Sequence, residues 1–198
     1  MPIPTIRTAR LTMRGFRPDD LYPLHALVSD PETVRYFPRH DPWPIEVVER
    51  WIEQQRTHWR QHGFGWFALE LRDTAAEVPA GAEVPALAAS LAVGTSGVIG
   101  WCGLCALEET QEVEVLYLLG KPYWGRGLAT EAARWSVAHA FSALHLEHVI
   151  GLTHPDNFAS QHVLQKCGLV YSDRVEYWGM ELLRHVIDRA RFEQVYTE

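Results

Sequence analysis

The residues most able to do chemistry lie in the stretch 112–131, E-V-E-V-L-Y-L-L-G-K-P-Y-W-G-R-G-L-A-T-E. A strand-like run there leads through Gly125 and Gly127 straight into a long helical pattern. Glycines at such a junction let backbone N–H groups approach a phosphate, and the helix N-terminus favours its negative charge. The loop is not a Walker A sequence, because it lacks G-K-[ST], nor a G-x-G-x-x-G fingerprint, because position 130 is Thr. A bare G-x-G is equally at home in a structural turn, so its surroundings must decide. Cys102 and Cys105 make W-C-G-L-C, which looks like the redox motif of thioredoxins. That chemistry needs its first Cys at a helix N-terminus. This pair sits instead in a strand pattern, where residues three apart point to opposite faces. One C-x-x-C with no partner pair makes no zinc site. His58 and His62 are four apart on a helix but lack the Glu of H-E-x-x-H, so they read as surface residues and no metal is expected.

Several elements must position these groups. Ile6 to Arg14 reads as a strand, and P-D-D at 18–20 caps a helix running to about Val28. A second helix spans about Pro44 to His62, with Val47, Val48, Trp51, Ile52 and Gln55 near one face. Strands follow at Trp66–Leu71, Val98–Ala106 and Glu112–Leu119. A helix from Gly125 to about Leu144 carries small residues, Ala129, Ala132, Ala133, Ser136, Val137 and Ala140, suited to close packing on a sheet. His148–Thr153 is a strand, Asn157–Lys166 a helix ended by Gly168, and two last strands are expected at about 169–178 and 181–193. Helices between and after strands indicate a mixed α/β layer fold.

The 198 residues suit one domain, and 47% hydrophobic against 22% charged residues is a globular balance with a sizeable core. A formal charge of −7 argues against a general nucleic-acid binder. No apolar run reaches the length of a membrane span or follows the first basic residue as a signal peptide would, so no membrane partner is expected. Three cysteines make no disulfide framework, which points to the cytoplasm. Charge is unevenly spread: residues 73–120 hold seven acids and no base. Within them, 74–96 lacks aromatics and repeats A-E-V-P-A, so it is expected to be a mobile insertion in a single domain and dispensable for the chemistry.

The chain resembles the GNAT superfamily of acetyl-CoA-dependent N-acetyltransferases, in its ribosomal-protein N-terminal-acetyltransferase-like branch. Five segments carry the likeness in order: T-A-R-L-T-M-R-G-F-R-P-D-D at 8–20, S-D-P-E-T-V-R-Y-F at 29–37, G-V-I-G at 97–100, the stretch 114–132, and N-F-A-S-Q-H-V-L-Q-K-C-G-L at 157–169. The resemblance implies a GNAT fold, with a central, mostly antiparallel sheet of six or seven strands, splayed in the middle, and about four helices. It implies that backbone amides of Gly125, Arg126, Gly127, Leu128, Ala129 and Thr130 hold the CoA pyrophosphate. The splayed strand around Tyr117, Leu118 and Leu119 would pair with the pantetheine, and Asn157 would hydrogen-bond its amide. Pro122 departs from the Gln or Arg that the wider superfamily often places three residues before the first glycine, and is expected to alter loop shape without abolishing binding.

Many relatives place a Tyr near the end of the Asn-containing helix to protonate the leaving thiolate; here that position is Leu164. Ser160, on the same helix, is the substitute this branch implies, beside its plain reading as a helix-surface Ser. Glu112, Glu114, Leu116 and Leu118 share one strand face by period two. Glu114, two residues before the implied acetyl-binding position, is the candidate general base, and its alternative is a solvated strand carboxylate; Glu112 reads as that plain carboxylate. Trp43, Trp51 and Trp59 read as core or groove wall. In the family the connection at about 30–45 lines the acceptor site, which makes Tyr36, Phe37 and Trp43 candidates to touch substrate. The implied reaction moves acetyl to a primary amine by direct attack, with the oxyanion held by a backbone N–H of the splayed strand. A protein or peptide N-terminus is the favoured acceptor. A small cationic amine (an aminoglycoside or polyamine) and a non-catalytic acyl-CoA-binding sensor are the alternatives. The protein would act as a monomer or homodimer.

Overall fold

The computed structural model describes residues 2–38, 41–72 and 97–196; the expected insertion at 74–96 lies outside them. Strands β1 Ile6–Arg7, β2 Leu11–Arg14, β3 Trp66–Leu71, β4 Val98–Leu107, β5 Glu112–Leu119, β6 His148–Thr153, β7 Val170–Tyr177 and β8 Met180–Asp188 form one sheet. Their order is β1-β2-β3-β4-β5-β6-β8-β7, so eight described strands stand where six or seven were expected. Every neighbouring pair is antiparallel except β5 and β6, which run parallel. These two meet at one register pair, Glu114 with Ile150, and part beyond it. The expected splay is therefore a single-pair junction at Glu114.

Period-two alternation divides the core. Phe67, Cys102 and Tyr117 are cross-strand neighbours on one face, Ala68, Trp101 and Leu118 on the other. The second face is covered by α1 Leu21–Val28, α2 Pro31–Val34 and α3 Ile45–His62, through Leu24, Val34, Val48 and Ile52. The first is covered by α4 Leu128–Ser142, whose Ala132, Ala133, Val137 and Ala140 are all at 0% exposure. Two more helices, α5 Phe158–Lys166 and α6 Arg189–Tyr196, bring the described total to six rather than about four. No described helix is long and apolar enough to cross a membrane.

Three elements differ from the sequence reading. The strand expected over 6–14 is a hairpin, β1 pairing antiparallel with β2, closed by the Thr8 N–H donating to Leu11 O at 2.9 Å. The last strand stops at Asp188, whose Oδ1 accepts from Arg191 N at 2.8 Å and starts α6. Phe192 then stacks on Phe141 and Tyr196 on Phe192, at 4.5 and 4.7 Å, so tertiary aromatic packing fixes a helix where β propensity had extended the strand. The short helix α2 was not expected; Asp30 caps it by accepting from Glu32 N.

Candidate active site

The parting of β5 and β6 opens a cleft with two halves that share Tyr36, Phe37, Tyr117, Asn157 and Ser160. The wider half, about 550 Å³, runs along Tyr117, Leu118 and Leu119 to Gly125, Gly127 and the first turn of α4. Gly125 and Gly127 take φ of 70° and 74°, left-handed values that L side chains rarely adopt. A Cβ on Gly125 would meet nothing within 4 Å, and one on Gly127 would meet Arg10 Nη2 at 3.5 Å. The loop thus presents bare backbone to open space just before a helix N-terminus, which is what a diphosphate needs.

A clamp holds this loop. The first-turn Glu131 accepts from Thr8 Oγ1 at 2.5 Å, Arg10 N at 2.7 Å and Arg10 Nε at 2.7 Å. Arg10 Nη1 also donates to Arg126 O at 2.7 Å. Burial pushes the Glu131 carboxyl up, but the Thr8 and Arg10 hydrogen bonds outweigh it and hold the group below the usual carboxylate range. A bare carboxylate at this helix start would repel any anion, and Arg10 offsets that charge. Sequence reasoning missed this clamp: Arg10 stood in the quoted 8–20 segment, but nothing local ties it to a residue more than a hundred positions away.

The smaller half, about 80 Å³, has Glu114 in its wall. This carboxyl is 2% exposed. Its Oε1 accepts the Leu152 N–H at 3.3 Å, an amide on the β6 side of the splay. Oε2 is buried without a partner. Burial pushes the carboxyl up to about 8, the Leu152 bond pulling weakly the other way. Glu112, expected to be a plain solvated carboxylate, is instead paired with Arg184 and with His148. The buried hydroxyl of Thr153 also lines this half with no partner.

Where the halves meet, Tyr117 Oη lies 2.9 Å from both the hydroxyl and the carbonyl of Ser160. Ser160 thus sits on the cleft wall with a phenol against it, which burial keeps protonated far above its ordinary range. Asn157 Oδ1 caps α5 by accepting from Ser160 N at 3.2 Å, which leaves its Nδ2 as a donor for a ligand. Leu164 is buried against Gly151, where a Cβ would come within 2.7 Å of it; its place is packing. Tyr36 spans the cleft, donating to Asp156 O at 3.1 Å and stacking on His154.

Two candidates lie apart from the lining. Trp43 packs against Trp51 and Trp101 in the core, and Arg126 contributes its carbonyl to the Arg10 clamp. Cys102 and Cys105 are free thiols pushed up by burial, Cys105 to about 12, so neither is a thiolate at neutral pH. His58 is not the surface residue expected: its ring lies tilted against His62 at 4.4 Å, its Nε2 is buried, and burial, then His62, lower it to about 4. Among the described residues no group of three or more His, Cys, Asp or Glu could hold a metal ion.

The acetyltransferase (GNAT) domain family model matches residues 10–170. The uncharacterized N-acetyltransferase p20 of Bacillus licheniformis is 26% identical over 84% of this chain and 85% of its own length. YkkB of Bacillus subtilis is 31% identical, a match spanning 43% of this chain and about half (51%) of that protein. An acetyltransferase from Agrobacterium tumefaciens superposes with a TM-score of 0.75 at 22% identity, over 96% of each chain. The spermidine N-acetyltransferase of Vibrio cholerae, solved with CoA and spermine, gives 0.67 at 17% identity, over 93% of this chain and 99% of that one.

Proposed function

This chain belongs to the GNAT family of acetyltransferases, and from that membership we propose that it acetylates the N-terminal amine of a peptide with Glu114 as general base. The observation that carries the reading is the buried carboxyl of Glu114, one oxygen unpartnered, at the point where the strands part. Its place in the ribosomal-protein branch is likewise our reading, resting on the segments 114–132 and 157–169.

Acetyl-CoA, when bound, supplies the acetyl thioester. Backbone N–H groups from Gly125 to Thr130, aided by the α4 dipole, hold its phosphates. Tyr117, Leu118 and Leu119 would flank its pantetheine arm, and Asn157 Nδ2 would be free to donate to an amide carbonyl there. The acceptor arrives as an ammonium ion and must lose a proton before it can attack. Glu114 takes that proton, directly or through one water. A carboxyl raised toward neutral pH holds a proton taken from an ammonium better than an ordinary carboxylate would, which suits it to serve as the base. Phe37, Leu116 and Leu182 help exclude water around the carboxyl. Ser160, backed by Tyr117, relays to the departing sulfur the proton that the newly acylated nitrogen sheds.

The test is thiol release from acetyl-CoA with short peptides, followed against pH. The expected acidic limb falls away below about pH 8 as Glu114 keeps its proton. Glu114→Gln should lower turnover about 10²–10⁴-fold, most of all on the alkaline side where the wild-type carboxylate is ionised, with little change in CoA affinity. A near-normal rate with the limb intact would transfer deprotonation to water or to the acceptor itself.

A further inference from the structure

Tyr177 pairs with Met180, so the β7–β8 hairpin closes over the two residues Trp178 and Gly179. Their φ values are 53° and 71°. That is the type I′ combination, normally solved by Asn-Gly or Asp-Gly. A bulky residue is a poor local choice, because its Cβ crowds the backbone in the left-handed region. Backbone strain of this kind persists where the side chain has a use. The Trp178 indole is 51% exposed, stands edge-on to Tyr177 at 4.4 Å, and lines the smaller half of the cleft. Phe37, Leu116, Leu152, Met180 and Leu182 wall the same half, and Glu114 is its one carboxylate among the described lining residues. Glu112 and Asp173 pair with Arg184 and Glu181 with Arg174, while Glu108 and Glu109, whose charges reach the Tyr177 hydroxyl, do not line this half.

We propose that the acceptor is a primary amine with a bulky apolar group beside its nitrogen, and that Trp178 is the residue that selects it. This rests on the acetyltransferase reading above. Glu114 meets one ammonium; the next few ångströms of any acceptor lie against hydrocarbon and indole. A second ammonium at polyamine spacing would lose water there with no lining carboxylate to receive it. A leucyl or phenyl group would bury apolar surface on Trp178 instead. A peptide beginning with Leu or Phe and a free arylalkylamine present the same chemistry.

The experiment measures thiol release from acetyl-CoA with a Leu-initiated hexapeptide, its Ser-initiated counterpart, 2-phenylethylamine and spermidine. It uses the wild type, Trp178→Asn and Trp178→Phe, with CoA affinity followed by calorimetry. Asn tolerates the left-handed turn, so Trp178→Asn removes the indole and spares the hairpin. Expected are kcat/KM values at least about tenfold higher for the apolar amines than for spermidine or the Ser peptide. Expected too is a KM about tenfold higher in Trp178→Asn with kcat and CoA affinity held, restored largely by Trp178→Phe. Preference between the Leu peptide and 2-phenylethylamine assigns the source of the amine. Spermidine or the Ser peptide as the better acceptor, or an unmoved KM in Trp178→Asn, overturns the proposal and leaves the acetyltransferase reading standing. No thiol release with any amine overturns both. Should Trp178→Asn fail to fold, the wild-type ranking and Trp178→Phe still decide.

Discussion

Replacing Glu114 by Gln should make the protein more stable while removing the proposed base, and the gain should depend on pH in a defined way. The folded state holds this carboxyl near 8, against an ordinary 4.5 in the unfolded chain. Below about pH 4.5 both states are protonated and the site contributes no penalty. Between the two values the unfolded chain loses the proton that the folded one keeps, so stability falls by about 1.4 kcal/mol per pH unit. Above about pH 8 both are ionised and the loss levels off. Over the whole window the charge costs up to about 5 kcal/mol, a large share of the 5–15 kcal/mol typical of a domain. Gln keeps an oxygen for the Leu152 N–H and cannot ionise. Urea unfolding of both proteins from about pH 5 to about pH 9 would show it. With an m-value of about 2 kcal/mol/M, the wild-type midpoint should drop about 2 M relative to the variant across the window. Parallel midpoints would refute the reasoning, since a carboxyl that titrates alike in both states is not desolvated and loses its fitness as a base near neutral pH.

Other outcomes can be checked together. Gly127→Val, which forces a β-branched residue into φ 74°, should weaken CoA binding by at least about tenfold in calorimetry. Arg10→Ala should impair turnover with acetyl-CoA but spare acetyl-pantetheine, which has no phosphates for the loop to hold; equal losses with both would mean a general fold defect. Ser160→Ala should be milder than Glu114→Gln, because a thiolate leaves fairly well unaided; steady-state kinetics at saturating peptide would rank them. Phe192→Ala, which strips the ring stacked between Phe141 and Tyr196, should cost about 2–4 kcal/mol in thermal or urea unfolding.

Local pattern predicted the parts of the site that are themselves local. Strand parity placed Glu114 on one face with Leu116 and Leu118, and the glycine spacing located the open loop before α4. The Asn157 cap with Ser160 three residues on is an ordinary helix-start signal. What escaped prediction depends on residues far apart in sequence. The β1–β2 turn is tied to Glu131, α6 exists because Phe192 finds Phe141, and the Tyr117–Ser160 bond joins a strand to a helix. Trp43 looked like a cleft residue by position, but it packs half-buried on the core, against Trp51 and Trp101. Trp178 escaped because a Trp-Gly pair is not a turn that propensity would choose.

The clamp from Arg10 and Thr8 to Glu131 makes the sheet edge and the loop proposed to hold CoA a single cooperative unit. β1 and β2 form the short outer hairpin of the sheet, an element that would ordinarily fray first. Opening it removes the Thr8 and Arg10 partners of Glu131 and the Arg126 carbonyl's donor in the same event. The unclamped helix start then bears an uncompensated carboxylate and binds a diphosphate less well. Linkage runs both ways, so a ligand seated on the loop must suppress fraying at the other end of the clamp. Amide exchange in residues 6–14 should therefore slow as CoA is titrated in, although none of those amides needs to touch it.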